Sequence, residues 1–284
     1  MSVEPRAKSE KALMQKSQSA LTGLFWTGSE QEIVYDAASI QSHLLQFKKK
    51  IFLAESPAGL GTTIAGVEKL GSGPGRLVGI LPEFAPEDLG AEEFKTRYGV
   101  RYAYYTGAMA NAIASTKMVI ALGKAGMLGS FGSAGVVAPR LETAISEIQE
   151  ALPDGPYAFN LINSPNEPAM ERAAAYLFIK HGIETVETSA YVDLTVPLVY
   201  YRVAGLGRDV SGNIVKKNRI IAKLSRKEVA TRFLSPAPRD ILDQLLSEGK
   251  ITVEQAELAQ YVPIADDITV EADSGGHTDN RPLV

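Results

Sequence analysis

From residue 102 onward, short apolar runs alternate with amphipathic stretches on a regular beat, and that beat restricts the fold more than any other feature of the chain. Strand character falls at residues 102–106, 127–131, 158–162, 185–189, 219–223 and 267–271, and helical patterns at 112–124, 141–151, 168–181 and 226–233 lie between them. A strand, a crossing helix and a further strand close as a right-handed βαβ unit, so the sheet is expected to be parallel and covered on both faces. The class is α/β, and two solutions stay open: an open sheet or a closed barrel. The last interval is longer because it holds an insertion, residues 235–263, read as a helical hairpin over 236–248 and 252–261. Gly249 ends its first helix, and Thr252 with Gln255 forms a capping box for the second.

Ahead of this beat the pattern is different. Residues 1–22 read as a flexible leader, and 23–95 as a small α/β lobe. The lobe has candidate strands at 32–35, 51–54 and 77–81, a helix carrying Ile40, Leu44, Leu45 and Phe47, and Gly-rich loops around Gly59, Gly61 and Gly66 and over 71–75. None of these loops has the spacing of a phosphate-binding fingerprint. A boundary near residue 95 then opens the barrel-like region, 96–284. The formal net charge of −4 gives no general attraction to nucleic acid or to an anionic membrane. The chain has no cysteine, which excludes disulfides and thiolate chemistry, and neither a signal segment nor a membrane-length apolar run is visible. A cytoplasmic protein is expected.

Chemistry is concentrated where strands end. Small and polar residues follow the first strand at 106–111, the second at 129–135, the third at Asn160 and the sixth at 271–277. In a barrel these ends share the mouth that holds the active site. Each has a plainer explanation as a cap, a turn or core filler, and only their shared position favours a ligand site. In the final stretch, Glu271, Asp273, His277 and Asp279 match no metal-ligand spacing, so no metal is expected. The paired Gly275 and Gly276 allow a close backbone approach to a ligand, with His277 just beyond as a proton donor; a Gly-rich turn after an edge strand accounts for the same residues.

These stretches carry a resemblance. YTGAMANAIAS at 105–115, ALGKAGMLGSFGSAG at 121–135, FNLI at 159–162 and DDITVEADSGGHTDNRPL at 266–283 resemble the flavin-dependent nitronate monooxygenase and enoyl reductase class of TIM barrels. The nearest likeness is to the PfaD-type enoyl reductases of polyunsaturated fatty acid and trans-acyltransferase polyketide synthases. The likeness runs from about residue 25 to the end, and Gly-Ala-Met at 107–109 stands where the wider class has Ala-Pro-Met. The resemblance implies a (β/α)8 TIM barrel, incomplete here at about six βα units, because the family's seventh and eighth strands would follow Val284. It implies bound FMN with NADPH or NADH as reductant, and 2-enoyl thioesters on an acyl carrier protein domain as substrate. By motif match, the backbone of Gly107, Ala108 and Met109 lies against the flavin ring, Asn160 sits at its edge, and Glu271, Ser274, Gly275 and Gly276 complete the wall. His277 matches the catalytic histidine.

Further expectations follow. Lys223 is a second cation at the same mouth, and Arg202, Arg208, Lys216, Lys217 and Arg219 form a basic patch for an acidic carrier protein. A homo-oligomer fits two open sheet edges. The 284-residue chain alone is expected to bind FMN weakly or not at all. Two other readings stay open: an oxygen-using flavin oxidase of nitronates, and a non-catalytic scaffold component of a synthase.

Overall fold

The computed structural model describes residues 24–270 apart from Pro74, so the leader and the 271–284 motif lie outside the described residues. The chain divides into two compact units, Met1–Leu89 and Gly90–Val284.

The first unit is an antiparallel sheet with one short helix. Strands β1 (Leu24–Thr27), β2 (Ile51–Ser56), β3 (Gly59–Thr63), β4 (Val67–Leu70) and β5 (Gly75–Leu81) lie in the order β3-β2-β5-β1-β4. Helix α1 (Ala37–Leu44) starts where the Asp36 carboxylate accepts from the Ser39 N–H, satisfying a donor with no partner inside the helix. Trp26, Ile33, Phe52, Ala54 and Leu77 make the small core. The Trp26 indole is fully buried and donates to the Ala65 carbonyl at 2.7 Å. Two local expectations change places. The Gly-rich stretch from Gly59 is a strand paired with β2, whereas 32–35 contributes a single bridge, Val34 to Thr62. Gly61 explains the exchange: a Cβ there would lie 2.6 Å from both Ile33 Cγ2 and the Val34 carbonyl, so its glycine lets that segment cross the strand closely.

The second unit carries the parallel sheet. Its strands are β6 (Tyr105–Thr106), β7 (Leu128–Phe131), β8 (Ala158–Ile162), β9 (Thr185–Ser189), β12 (Arg219–Leu224) and β13 (Asp267–Val270), with a separate antiparallel ribbon, β10 (Leu206–Arg208) and β11 (Ile214–Lys216), inserted before β12. The six follow one another in chain order across the sheet, each parallel to the next. A doubly wound open sheet reverses its order part-way; this one never does, which is how a barrel winds. It also curls. The Ala108 N–H, two residues beyond β6, donates at 2.7 Å to Glu187 on β9, three strands away. In a flat sheet those strands would stand about 14 Å apart. The described residues thus form six strands of an incomplete TIM barrel.

Crossing helices are α3 (Thr116–Lys124), α4 (Ala138–Ala151), α5 (Pro168–Lys180), α6 (Val196–Ala204) and α7 (Lys227–Phe233). Helices α8 (Arg239–Ser247) and α9 (Val253–Leu258) follow α7, the latter with the expected capping box between Thr252 and Gln255. Alternation along the strands divides two cores. Phe131, Phe159, Leu161, Val186, Ile220 and Ala222 pack with the helices, while Leu128, Ala158 and Ile221 point the other way, into the barrel. There α2 (Glu92–Tyr98) closes the N-terminal end: Tyr98 packs among them, and both its hydroxyl and Arg97 reach the Asp267 carboxylate, at 2.7 and 2.6 Å.

The stretch 196–204 is a helix that the sequence pattern does not announce, and it dissolves the expected basic patch. Arg202 is 1% exposed and donates to both oxygens of Asp266, at 2.8 and 3.1 Å, and Lys216 joins the same carboxylate at 2.7 Å. Arg219 pairs with Glu184 at 3.1 Å. Arg208 Nε lies 3.6 Å from the Glu254 carboxylate, so four of the five cations are paired with acids.

Candidate functional site

At the C-terminal ends of β6 and β7, two loops are laid directly on each other. The Ala112 N–H donates to the Gly132 carbonyl at 2.9 Å, the Gly132 N–H to the Ala114 carbonyl at 3.0 Å, and the Asn111 N–H to the Ala134 carbonyl at 2.7 Å. A Cβ at Gly132 would stand 1.6 Å from the Met109 carbonyl oxygen, so only glycine permits the contact. Asn111 and Ala112 hold left-handed backbone, φ 57° and 59°, which costs a non-glycine residue energy and persists only where the surroundings enforce it. Gly107 and Met109 stay exposed on this platform and Ala108 is half-buried. A Cβ on Gly107 would meet a single atom, Glu187 Oε1, at 3.5 Å. The platform is thus open at Gly107 and Met109 and supported from behind by Glu187.

Beneath it runs a chain of hydrogen bonds across the strands β6 to β9 and the loops that follow β6 and β7. Glu187, fully buried, accepts from the Ala108 N–H through Oε2. Asn160 lies opposite Glu187 in the sheet register, and its amide donates to the Glu187 carbonyl at 3.2 Å and to Ser189 Oγ at 2.9 Å. Ser133 in turn donates to the Asn160 carbonyl. The structure therefore brings Gly107, Ala108 and Asn160 together, linked through Glu187, a residue that no sequence motif singles out. Met109 extends from the same platform, and its carbonyl closes the loop by accepting from the Ala114 N–H at 3.2 Å. Lys223 sits half-buried on β12, two residues beyond Ile221, which is Glu187's register partner, and so shares the inner face. Glu271, Ser274, Gly275, Gly276 and His277 lie outside the described residues.

The inner face is more polar than a packed barrel layer requires. Among the described residues, Tyr105 Oη, Ser130 Oγ and Glu187 Oε1 are buried and make no close hydrogen bond. Burial, together with the nearby Glu187 carboxylate, pushes the Tyr105 phenol far up, so it is a neutral hydroxyl at every working pH. Beside Asn160 a cavity of about 360 Å³ opens toward α4 and α5, lined by Ser133, Gly135, Ile162, Met170 and Glu171. Glu171 is a second buried acid without a signal in the sequence. It accepts from the Tyr191 hydroxyl at 2.9 Å and from Thr195, tying the loop after β9 to α5, and burial raises its carboxyl despite these bonds. Among the described residues no cluster of His, Asp and Glu has the geometry of a metal site, and no helix is long and apolar enough to cross a membrane.

No protein-family model matches the sequence. Curated relatives do. Over 196 residues the chain is 53% identical to a polyunsaturated fatty acid synthase polypeptide of Thraustochytrium sp., a match that covers 69% of this chain and 13% of that protein. Over 194 residues it is 46% identical to the polyketide biosynthesis protein PksE of Bacillus subtilis, covering 68% of this chain and 25% of PksE. Among solved structures, the enoyl reductase domain of MlnA from the macrolactin biosynthesis cluster of Bacillus amyloliquefaciens superposes with a TM-score of 0.64 at 44% identity, over 66% of this chain and 43% of that one. The chain thus spans less than half the length of each of these proteins.

Proposed function

The chain is a relative of the PfaD-type enoyl reductases of polyunsaturated fatty acid and polyketide synthases, and from that relationship we propose that it forms the FMN-facing part of an NAD(P)H-dependent enoyl reductase acting on 2-enoyl thioesters of an acyl carrier protein. The observation that carries the reading is the platform itself: three consecutive backbone units, Gly107 to Met109, open to a flat ligand on one side and fixed from below by a buried carboxylate. A planar ring fits such a surface, and the small side chains of Gly107 and Ala108 keep nothing in its way. When bound, FMN supplies the hydride chemistry.

The chain's own residues then have separable tasks. Gly107, Ala108 and Met109 present the wall, and Asn160, its amide oriented by Ser189 and the Glu187 carbonyl, marks the edge. Glu271, Ser274, Gly275 and Gly276 are assigned the facing wall, and His277 the proton delivered to the α-carbon or the hydrogen bond that polarises the thioester carbonyl. Lys223, on the inner face, is assigned to the acyl thioester end. The carrier protein is a domain of a synthase of the kind to which the relatives belong.

Turnover tests this assignment. A chimera in which the remainder of the barrel is supplied from the MlnA domain is mixed with NADPH and FMN and offered crotonyl-carrier protein, crotonyl-CoA or a nitronate with oxygen. Saturation of the crotonyl chain on the carrier protein, abolished by His277→Ala, is the expected result. Oxygen consumption with the nitronate and no enoyl reduction would assign the chain to the nitronate oxidases instead, and a folded chimera inert toward all three would leave a scaffold role.

A further inference from the structure

Packing alone does not account for Glu187. It is fully buried in the middle of a strand, and one of its carboxyl oxygens makes no close hydrogen bond among the described residues, lying instead near enough to the Tyr105 hydroxyl to hold its proton on. The other oxygen accepts from the Ala108 N–H. A threonine or an asparagine would satisfy an amide at less desolvation cost, so a carboxyl here needs a reason beyond packing. Its neighbours supply one. Glu187 Oε1 lies directly behind Gly107, Asn160 is fastened to the Glu187 main chain, and the Tyr105 and Ser130 hydroxyls are buried on the same inner face.

We infer that Glu187 is the positioning residue of the site: one carboxyl oxygen accepts from the Ala108 N–H and fixes the Gly107–Met109 wall across three strands, and the other lies immediately behind Gly107. The role follows from the hydrogen bond and the register, whatever ligand the wall faces.

Amide hydrogen exchange of the 284-residue chain tests the role. In Glu187→Ala the protection of amides 107–112 is expected to fall at least about tenfold while β12 and β13 keep theirs, and Glu187→Gln, which retains a carbonyl acceptor, restores it. Should Glu187→Ala fail to fold, Glu187→Leu, close in volume and without an acceptor, takes its place and is expected to loosen the same amides. Unchanged protection in Glu187→Ala, or in Glu187→Leu where that variant is needed, or uniform loss across the sheet in these variants and in Glu187→Gln alike, would overturn the positioning role.

Discussion

Single atoms decide the shape of the platform. Gly132→Ala forces a Cβ into the Met109 carbonyl, so the 107–115 loop must lift off; a loss of about 1–3 kcal/mol in urea denaturation is expected, with selective loss of exchange protection at residues 107–115. Phe159 sits between Phe131 and Phe178 with ring centroids 5.5 and 5.4 Å away, at the centre of the helix-facing core, and Phe159→Ala should cost about 3–5 kcal/mol by the same measurement. The contrast between such residues and Glu187 shows what a sequence discloses. Gly107 and Ala108, just past the end of β6, and Asn160, a polar residue inside the apolar run of β8, were legible as candidates because small or polar residues there are out of place unless the backbone or a ligand needs them. Glu187 was not, because an acid in the middle of Thr-Val-Glu-Thr-Ser reads as the solvent face of a half-covered strand, and its partner Ala108 lies 79 residues earlier.

At the level of elements, two buried acids pull stability in opposite directions with pH. Asp266 precedes β13 and joins it to α6 and β11 through Arg202 and Lys216. Burial alone would raise its carboxyl, but the charge and hydrogen bonds of Arg202, with Lys216 and the Ile220 N–H, outweigh it and hold it below its ordinary value of 3.8. A depressed native value means the unfolded chain binds the proton first, so this stabilisation is present above pH 3.8 and drains away as pH falls through the native value. Asp266→Asn should cost about 3–5 kcal/mol near neutrality by leaving Arg202 buried and unpaired, and should flatten the acid limb of the stability profile. Glu171 has the opposite sign. Burial lifts it above 4.5, the native state holds the proton longer, and stability falls as pH rises from 4.5 through the native value; Glu171→Gln should abolish that slope in denaturation series. The strands of the barrel were legible in the sequence because each is a short β-branched or apolar run bounded by turns. Helix α6 was not: Leu198, Val199, Tyr201, Arg202 and Val203 are all buried, so the polar face that marks a surface helix is missing. The lobe's β3 was hidden by glycines that normally break strands, and here permit a close crossing.

On the scale of the whole molecule, the order of the six strands is what separates a barrel from an open sheet, and periodicity alone could not supply it. Periodicity predicted the βαβ units; the unreversed order and the Ala108–Glu187 bond across three strands resolve the closure. The same curl carries the functional account, because it brings the loop after β6 over the middle of the sheet and makes a wall from residues far apart in the chain. We propose that this wall faces a flavin. The most direct test is the visible absorption spectrum of the chimera purified with excess FMN and then desalted. Retained, shifted flavin bands that NADPH bleaches and an enoyl thioester restores are the predicted result; a folded chimera that emerges colourless would contradict the claim.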